Sequence, residues 1–378
     1  MPSFPGKLPG MQRSPSGLSR RDLLATLAAG ATLLRPDYLN AAEPDPRLAQ
    51  VLARTISIDL HSHVGIPFGK PNAPLPSFDL VGEMKRTGFS AVIQTYEVDS
   101  VPAAPGEDYT HNLEALNFED RLLAAAHVPR ALTLKDLETG HAQGRPRIIQ
   151  SAEGAQFLEG RIERVEEVYK RGVRNLQLVH ERDDKVKPLG DIYTKPARLG
   201  GLTDFGAEVI RACNRLGIVV DLTHMSYDGV KSALKISTQP VIFSHTGPLP
   251  GPGEPNKIPN MAPRLLSKEE MRDIAGAGGI IGVWNHGSDT AKEYVEMIGR
   301  VVDTTGVDHV GIGTDSDLEP NVQRTYTNAI WKGETRGFFP AVAEEMLRAG
   351  FTPEETGKIG GGNFCRIFSK ITAVNARS

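Results

Sequence analysis

The residues best suited to chemistry in this chain are histidines and carboxylates that each close a short apolar run. In Asp59-Leu60-His61-Ser62-His63 the two histidines stand two apart, so an extended backbone turns both imidazoles to the same side. Ser151-Ala152-Glu153-Gly154 closes a second run, and Leu176-Gln177-Leu178-Val179-His180 a third. Val219-Val220-Asp221-Leu222-Thr223-His224, Val241-Ile242-Phe243-Ser244-His245 and Val310-Gly311-Ile312-Gly313-Thr314-Asp315 complete the set. The chain has 10 histidines and five of them fall at these ends, so convergence on one site outweighs five separate structural roles. His61, His63, Glu153, His224 and His245 make a ligand set for two borderline divalent ions such as zinc. Two ions bridged by a carboxylate and a hydroxide generate a nucleophile at neutral pH. His180 then suits polarisation of a carbonyl, and Asp315 the shuttling of a proton. His111, His127, His141, His286 and His309 lie off the pattern and read as structural or solvent-facing.

Such a set needs a framework that gathers distant run ends on one face. β-branched runs predict strands over Thr55–Leu60, Ser90–Thr95, Arg147–Ala152, Asn175–Val179, Ile218–Thr223, Val241–Ser244, Ile280–Trp284 and His309–Gly313. Helical periodicity fills the gaps over Asp79–Thr87, Asn112–Ala126, Ile162–Arg171, Asp204–Leu216, Tyr227–Lys235, Lys268–Ala277 and Lys292–Thr304. A C-terminal pair follows near Pro340–Ala349 and Pro353–Ile359. Eight strands alternating with helices predict a (β/α)8 TIM barrel, whose active sites lie at the carboxyl ends of the strands. A doubly wound sheet is the rival, but the first strand lacks a Gly-rich phosphate turn. The Pro- and Gly-rich stretch 246–263 reads as a long functional loop after the sixth strand.

Composition narrows the partners. Hydrophobic residues at 39% and charged residues at 24% describe an ordinary globular chain. The net charge of −3 leaves no basic surface for nucleic acid. Cys213 and Cys365 are too few for a disulfide scaffold or thiolate metal cluster and read as buried free thiols. At the N-terminus, Arg13, Arg20 and Arg21 precede an uncharged run from Leu23 to Leu34, with small Ala41 and Ala42 beyond. That run is too short to span a bilayer and reads as an export signal. Ser19-Arg20-Arg21-Asp22-Leu23-Leu24 resembles the twin-arginine motif, with Leu23 in place of the usual Phe. Residues 1–42 are therefore expected to be a removed leader, with residues 43–378 one barrel domain exported to the periplasm or exterior of a bacterium. The export machinery is the implied partner, and a homodimer is compatible with the sequence.

The order His61-x-His63, Glu153-Gly154, Leu176–His180, Gly201-Leu202-Thr203-x-Phe205-Gly206, Asn214-Arg215-Leu216-Gly217, Asp221-Leu222-Thr223-His224, Pro240–His245 and Gly311–Asp317 resembles the membrane (renal) dipeptidase family of metallopeptidases. Those enzymes are amidohydrolase-like barrels, and the resemblance spans about residues 52–370. It implies a binuclear zinc enzyme that hydrolyses dipeptides, often tolerating a D-residue on the carboxyl side. Carried over by position, His61, His63 and Glu153 hold the first metal, and Glu153, His224 and His245 the second. His180 matches the carbonyl-polarising histidine, Asp315 the acid/base, and Arg264 an arginine that binds the substrate carboxylate. The chain departs from the family at His63, where Asp is usual, and at Glu181-Arg182-Asp183-Asp184, where an Asn/Trp-containing loop is common. Leu265, Ser316 and Leu318 also differ. These changes lie in substrate-facing loops. A barrel hydrolase of lactones, esters or cyclic amides is the alternative, and a non-catalytic binding or maturation protein a third reading.

Overall fold

The computed structural model describes residues 45–70, 72–182, 186–320 and 325–374. The expected leader, residues 1–42, and Asp183 and Asp184 lie outside the described residues.

Eight parallel strands close on themselves: β1 (Ile58–His63), β2 (Ala91–Glu97), β3 (Arg147–Glu153), β4 (Val173–Gln177), β5 (Val219–Asp221), β6 (Val241–Pro248), β8 (Ile280–Val283) and β9 (Val310–Ile312). The ring is sealed by β1 pairing with β9 through Asp59 and Ile312. Two short strands sit outside it: β7 (Leu265–Leu266) on the end of β6, and β10 (Ser316–Asp317) on the end of β1. The expected (β/α)8 barrel is therefore the fold, and each of the eight anticipated strands is present with shifted ends.

The helices are α1 (Leu48–Arg54), α2 (Leu80–Thr87), α3 (Glu107–Ala126), α4 (Leu134–Ala142), α5 (Glu163–Lys170), α6 (Asp204–Leu216), α7 (Tyr227–Ile236), α8 (Lys268–Gly276), α9 (Ala291–Thr305), α10 (Phe338–Arg348), α11 (Pro353–Gly357) and α12 (Asn363–Thr372). Local chemistry sets their limits. The Thr203 hydroxyl accepts from the Gly206 N–H at the start of α6, and Gly217 ends that helix in the left-handed region. Ser267 and Glu270 form a reciprocal capping box at the start of α8. The helices α1, α4 and α12 were not anticipated.

Packing divides along the strands. Val92, Ile148, Leu176, Val220 and Ile281 belong to the large core shared with the surrounding helices. Their neighbours Ile93, Ile149, Val219, Ile242 and Ile280 form a second, separate cluster with Ile58 and Leu60. Phe364, Ile367, Phe368 and Ile371, four residues on one face of α12, pack into that cluster and close the barrel at the amino ends of its strands.

Candidate metal centre

Two backbone irregularities convert apolar strands into ligand-bearing ones. The register of β1 against β2 shifts between Asp59 and Ser62, and that of β6 against β8 between Phe243 and Thr246. Bulges of this kind re-aim side chains. The first is held by Asp59, which accepts from the N–H groups of His61 (3.2 Å) and Thr314 (2.9 Å) and from the Thr314 hydroxyl (2.7 Å). The second is held by Asp221, which accepts from the N–H groups of Thr223 (3.0 Å) and Ser244 (3.2 Å). His224 and Asp315 adopt left-handed backbone, with φ of 69° and 50°. Such conformations are costly for residues with a side chain, and they cluster at functional sites.

Six of the eight sequence-derived residues then meet around one carboxylate. Glu153 is 2% exposed. Its Oε2 lies 3.3 Å from His61 Nε2 and 3.7 Å from His63 Nε2. Its Oε1 lies 3.3 Å from His224 Nε2, 3.6 Å from His245 Nε2 and 3.5 Å from His180 Nε2. The imidazole nitrogens of His61 and His63 face each other at 3.1 Å, and those of His224 and His245 at 3.0 Å. Tetrahedral zinc with Zn–N bonds of about 2.0–2.1 Å spaces its donors about 3.3 Å apart. The two oxygens of Glu153 thus each complete a histidine pair with spacing that suits one ion. Asp315 Oδ1, 3.5 Å from His63 Nε2, adds a donor to the first group.

Charge and burial favour the ligating form at His224, His245 and Glu153, whereas at His61 burial is outweighed by Glu153 and Asp315, which raise it. Burial pushes His224 down to about 4 and His245 well below its ordinary value, so both are neutral, the ligating form. Burial opposes ionisation of Glu153, but His180, His61 and His224 outweigh it and hold the carboxyl well below the usual carboxylate range. The ring orientations are fixed from behind. Ser244 Oγ lies 3.1 Å from His61 Nδ1 and 3.0 Å from His245 Nδ1. The Thr95 carbonyl lies 3.2 Å from His63 Nδ1, and the Tyr193 hydroxyl 3.1 Å from His224 Nδ1.

The remaining two sequence-derived residues border the centre. Asp315 Oδ2 faces His286 Nε2 at 3.3 Å and the Arg264 guanidinium at 3.7 Å. Arg264 ends the 3-10 turn Pro259–Arg264, and its carbonyl accepts from the Thr246 hydroxyl at 2.6 Å, which ties the long loop back to β6. The guanidinium also pairs with Glu181.

Four site residues escaped the sequence reading. His286, which reads from the sequence as structural or solvent-facing, instead sits beside Asp315, three residues beyond the end of β8. Glu97 and Asp99 lie beyond the expected end of β2 at Thr95. Asp99 Oδ1 is 2.6 Å from His180 Nδ1, and its Oδ2 accepts from the Arg182 N–H at 2.9 Å. Glu97 lies two residues beyond that end and Asp99 four. Tyr193 belongs to a loop with no periodic signal. By contrast His141, between Ser90 and the Ala53 carbonyl, and His309, on the Gly279 carbonyl, are structural as expected. Cys213 and Cys365 are free.

A family model for membrane dipeptidases (peptidase family M19) matches residues 47–378. The chain belongs to that family. A curated relative, Dipeptidase tcpJ of Claviceps purpurea, is 28% identical over 236 residues, 62% of this chain and 53% of that protein. The chain thus spans about half the length of that curated relative. Among solved structures, the probable dipeptidase PvdM of Pseudomonas aeruginosa superposes with a TM-score of 0.72 at 18% identity, over 87% of this chain and 100% of the other. An amidohydrolase of the same organism gives 0.69 at 22% identity, over 86% and 98%. A metallo peptidase of Rhodobacter sphaeroides, liganded with a phosphinate mimic of the dipeptide L-Ala-D-Ala, gives 0.62 at 20% identity, over 83% and 99%. These structural likenesses place the membrane dipeptidase barrel of this chain among known folds.

Proposed function

We propose that this protein is a binuclear zinc dipeptidase that accepts short substrates, including those with a D-residue on the carboxyl side. The observation that carries the reading is Glu153, one oxygen on the His61/His63 pair and the other on His224/His245. Membership of the membrane dipeptidase family supports it, as does the L-Ala-D-Ala mimic held by the Rhodobacter sphaeroides neighbour.

His61, His63, Glu153 and Asp315 would hold one ion, and Glu153, His224 and His245 the other. When bound, such ions supply a water made nucleophilic at neutral pH and polarise the scissile carbonyl. Asp315 is ionised: burial opposes its charge, but His245, His286 and His63 outweigh that and hold it well below the usual carboxylate range. It can therefore accept the proton of the attacking water and return it to the leaving amine. Burial disfavours a charged His180, yet Glu153 and the Asp99 hydrogen bond raise it to about 9. As an imidazolium it donates from Nδ1 to Asp99 and from Nε2 to the carbonyl oxygen as negative charge grows there. Arg264 supplies a planar, two-pronged donor for the terminal carboxylate.

Metal analysis of purified protein, paired with hydrolysis of matched L-Xaa–L-Xaa and L-Xaa–D-Xaa libraries, tests the reading. The expected result is close to two zinc ions per chain and cleavage of members of both libraries. Metal content near zero after reconstitution of a folded sample would reject it, and turnover of lactones or esters alone would replace the substrate class. We further propose that residues 1–42 direct twin-arginine export to the periplasm or exterior. Replacing Arg20 and Arg21 together by Lys should retain the protein in the cytoplasm.

A further inference from the structure

The arginine proposed to receive the substrate carboxylate already holds a carboxylate. Glu181, the residue after His180, pairs through Oε1 with the Arg264 guanidinium. The same oxygen lies 3.7 Å from His224 Nδ1, the ring edge turned away from the second metal position. Arg264 also faces Asp315 at 3.7 Å, and its own side chain is 21% exposed. The guanidinium is therefore shared by Asp315, which the chemistry needs, and Glu181, which it does not.

Glu181 differs from Asp315 in how it is held. Asp315 is fixed by left-handed backbone and by an N–H bond to the His61 carbonyl at 3.0 Å. The Glu181 side chain is 44% exposed, and rotation about its own bonds takes its carboxylate into water. An incoming carboxylate can take its place on the guanidinium at the cost of one half-exposed ion pair. Such pairs are modest in strength, so exchange is feasible and the competition measurable.

We propose that Glu181 is a specificity-determining residue that competes with the substrate's terminal carboxylate for Arg264. The inference rests on the dipeptidase reading and names the substrate feature it tunes. With Glu181 in place, a free carboxylate adds little to binding, and dipeptides whose carboxyl end is neutral, as an amide or ester, are handled nearly as well. The family-divergent loop that begins at Glu181 would thus widen the substrate range rather than alter the chemistry.

The test compares alanyl-alanine with alanyl-alaninamide on zinc-loaded wild type, Glu181→Gln and Glu181→Asp. Glu181→Gln removes the competing charge and should lower KM for the free dipeptide about fivefold, an effect of the size expected for a half-exposed ion pair. KM for the amide should not move, so the preference for the free acid rises by the same factor. Product inhibition by alanine should tighten in parallel, and that by alaninamide should not. Glu181→Asp keeps the charge but withdraws the carboxylate by one methylene; a drop in KM for the free dipeptide marks competition at Arg264. No change in that variant, with an effect in Glu181→Gln, would mark a general charge effect and overturn the proposal. An unchanged or raised KM for the free dipeptide in Glu181→Gln would also overturn it. Wild type that cleaves neither compound nor any other dipeptide fails the underlying reading, and that outcome appears before any variant is compared.

Discussion

At the amino ends of its strands the barrel interior is Ile58, Leu60, Ile93, Ile149, Val219, Ile242 and Ile280, sealed by the aromatic face of α12. A few residues further along the same strands it is Ser151, Asn175, Asp221, Ser244 and Thr314, and then the histidines and Glu153. Both halves are buried, yet different forces order them. The lower half needs volume and apolarity, and tolerates exchange of one branched residue for another. In the upper half each buried polar atom needs a partner, and the partners specify orientation as well as energy. Ser151 accepts from Asn175 at 2.9 Å, and Gln177 donates to Glu153 at 3.3 Å. One barrel thus separates stability from function along its axis.

Substitutions can break that separation or sharpen it. The largest effect is expected at Glu153. Glu153→Gln keeps the shape but removes the charge that offsets two dications, so both metal content and hydrolysis should fall to background. Two ions retained at near wild-type turnover would refute the bridging role. Asp315→Asn, assayed at saturating zinc, should lower kcat by about 10² to 10⁴, with kcat/KM falling in step. If Asp315 served only the turn after β9, melting temperature would drop and turnover per folded molecule would not.

The lower half should show the opposite signature. Phe368→Ala, at a fully buried position on α12, should cost about 3–5 kcal/mol of stability. Denaturant titration measures the loss, and zinc content and kcat of the folded fraction should match wild type. Ser244→Ala tests the boundary between the halves, because its hydroxyl contacts both His61 and His245. Metal affinity should weaken by about 10- to 100-fold, seen in competition with a chelator, with little change in the melting temperature of the metal-free protein. A stability loss without an affinity change would move the boundary above Ser244.

The lower half explains which parts of the fold were legible from residues alone. β-branched runs such as Ile280–Val283 and the capped helix Asp204–Leu216 announce themselves through local periodicity. The α12 helix carries an equally regular pattern at Phe364, Ile367, Phe368 and Ile371, but it follows directly on Gly360-Gly361-Gly362, residues of low helix propensity. In the structure Gly361 leaves the helical region and comes so close to the Ile56 carbonyl that a Cβ there would lie 2.1 Å from the oxygen. Gly361 therefore serves a close approach of the turn before α12 to the residues that lead into β1, which no local pattern reports. In the upper half, His61, His63, Glu153, His224 and His245 were visible because ligand types at strand ends are rare and ordered. Asp99, His286 and Tyr193 were not, because they reach the site by turns and loops whose course depends on tertiary contacts.

The seam that closes the barrel has one more consequence. Thr314 donates to Asp59 across 255 positions of sequence, and the Asp315 N–H bonds the His61 carbonyl beside it. The first metal position therefore draws its donors from both extremes of the barrel. Joining such remote segments carries a large loop-closure entropy and comes late in assembly. A nascent or clipped chain that lacks its last strands holds His61 and His63 without Asp315, whereas the His224/His245 pair forms from neighbouring strands. Until the ring shuts, such a chain would offer the first position His61, His63 and Glu153 alone.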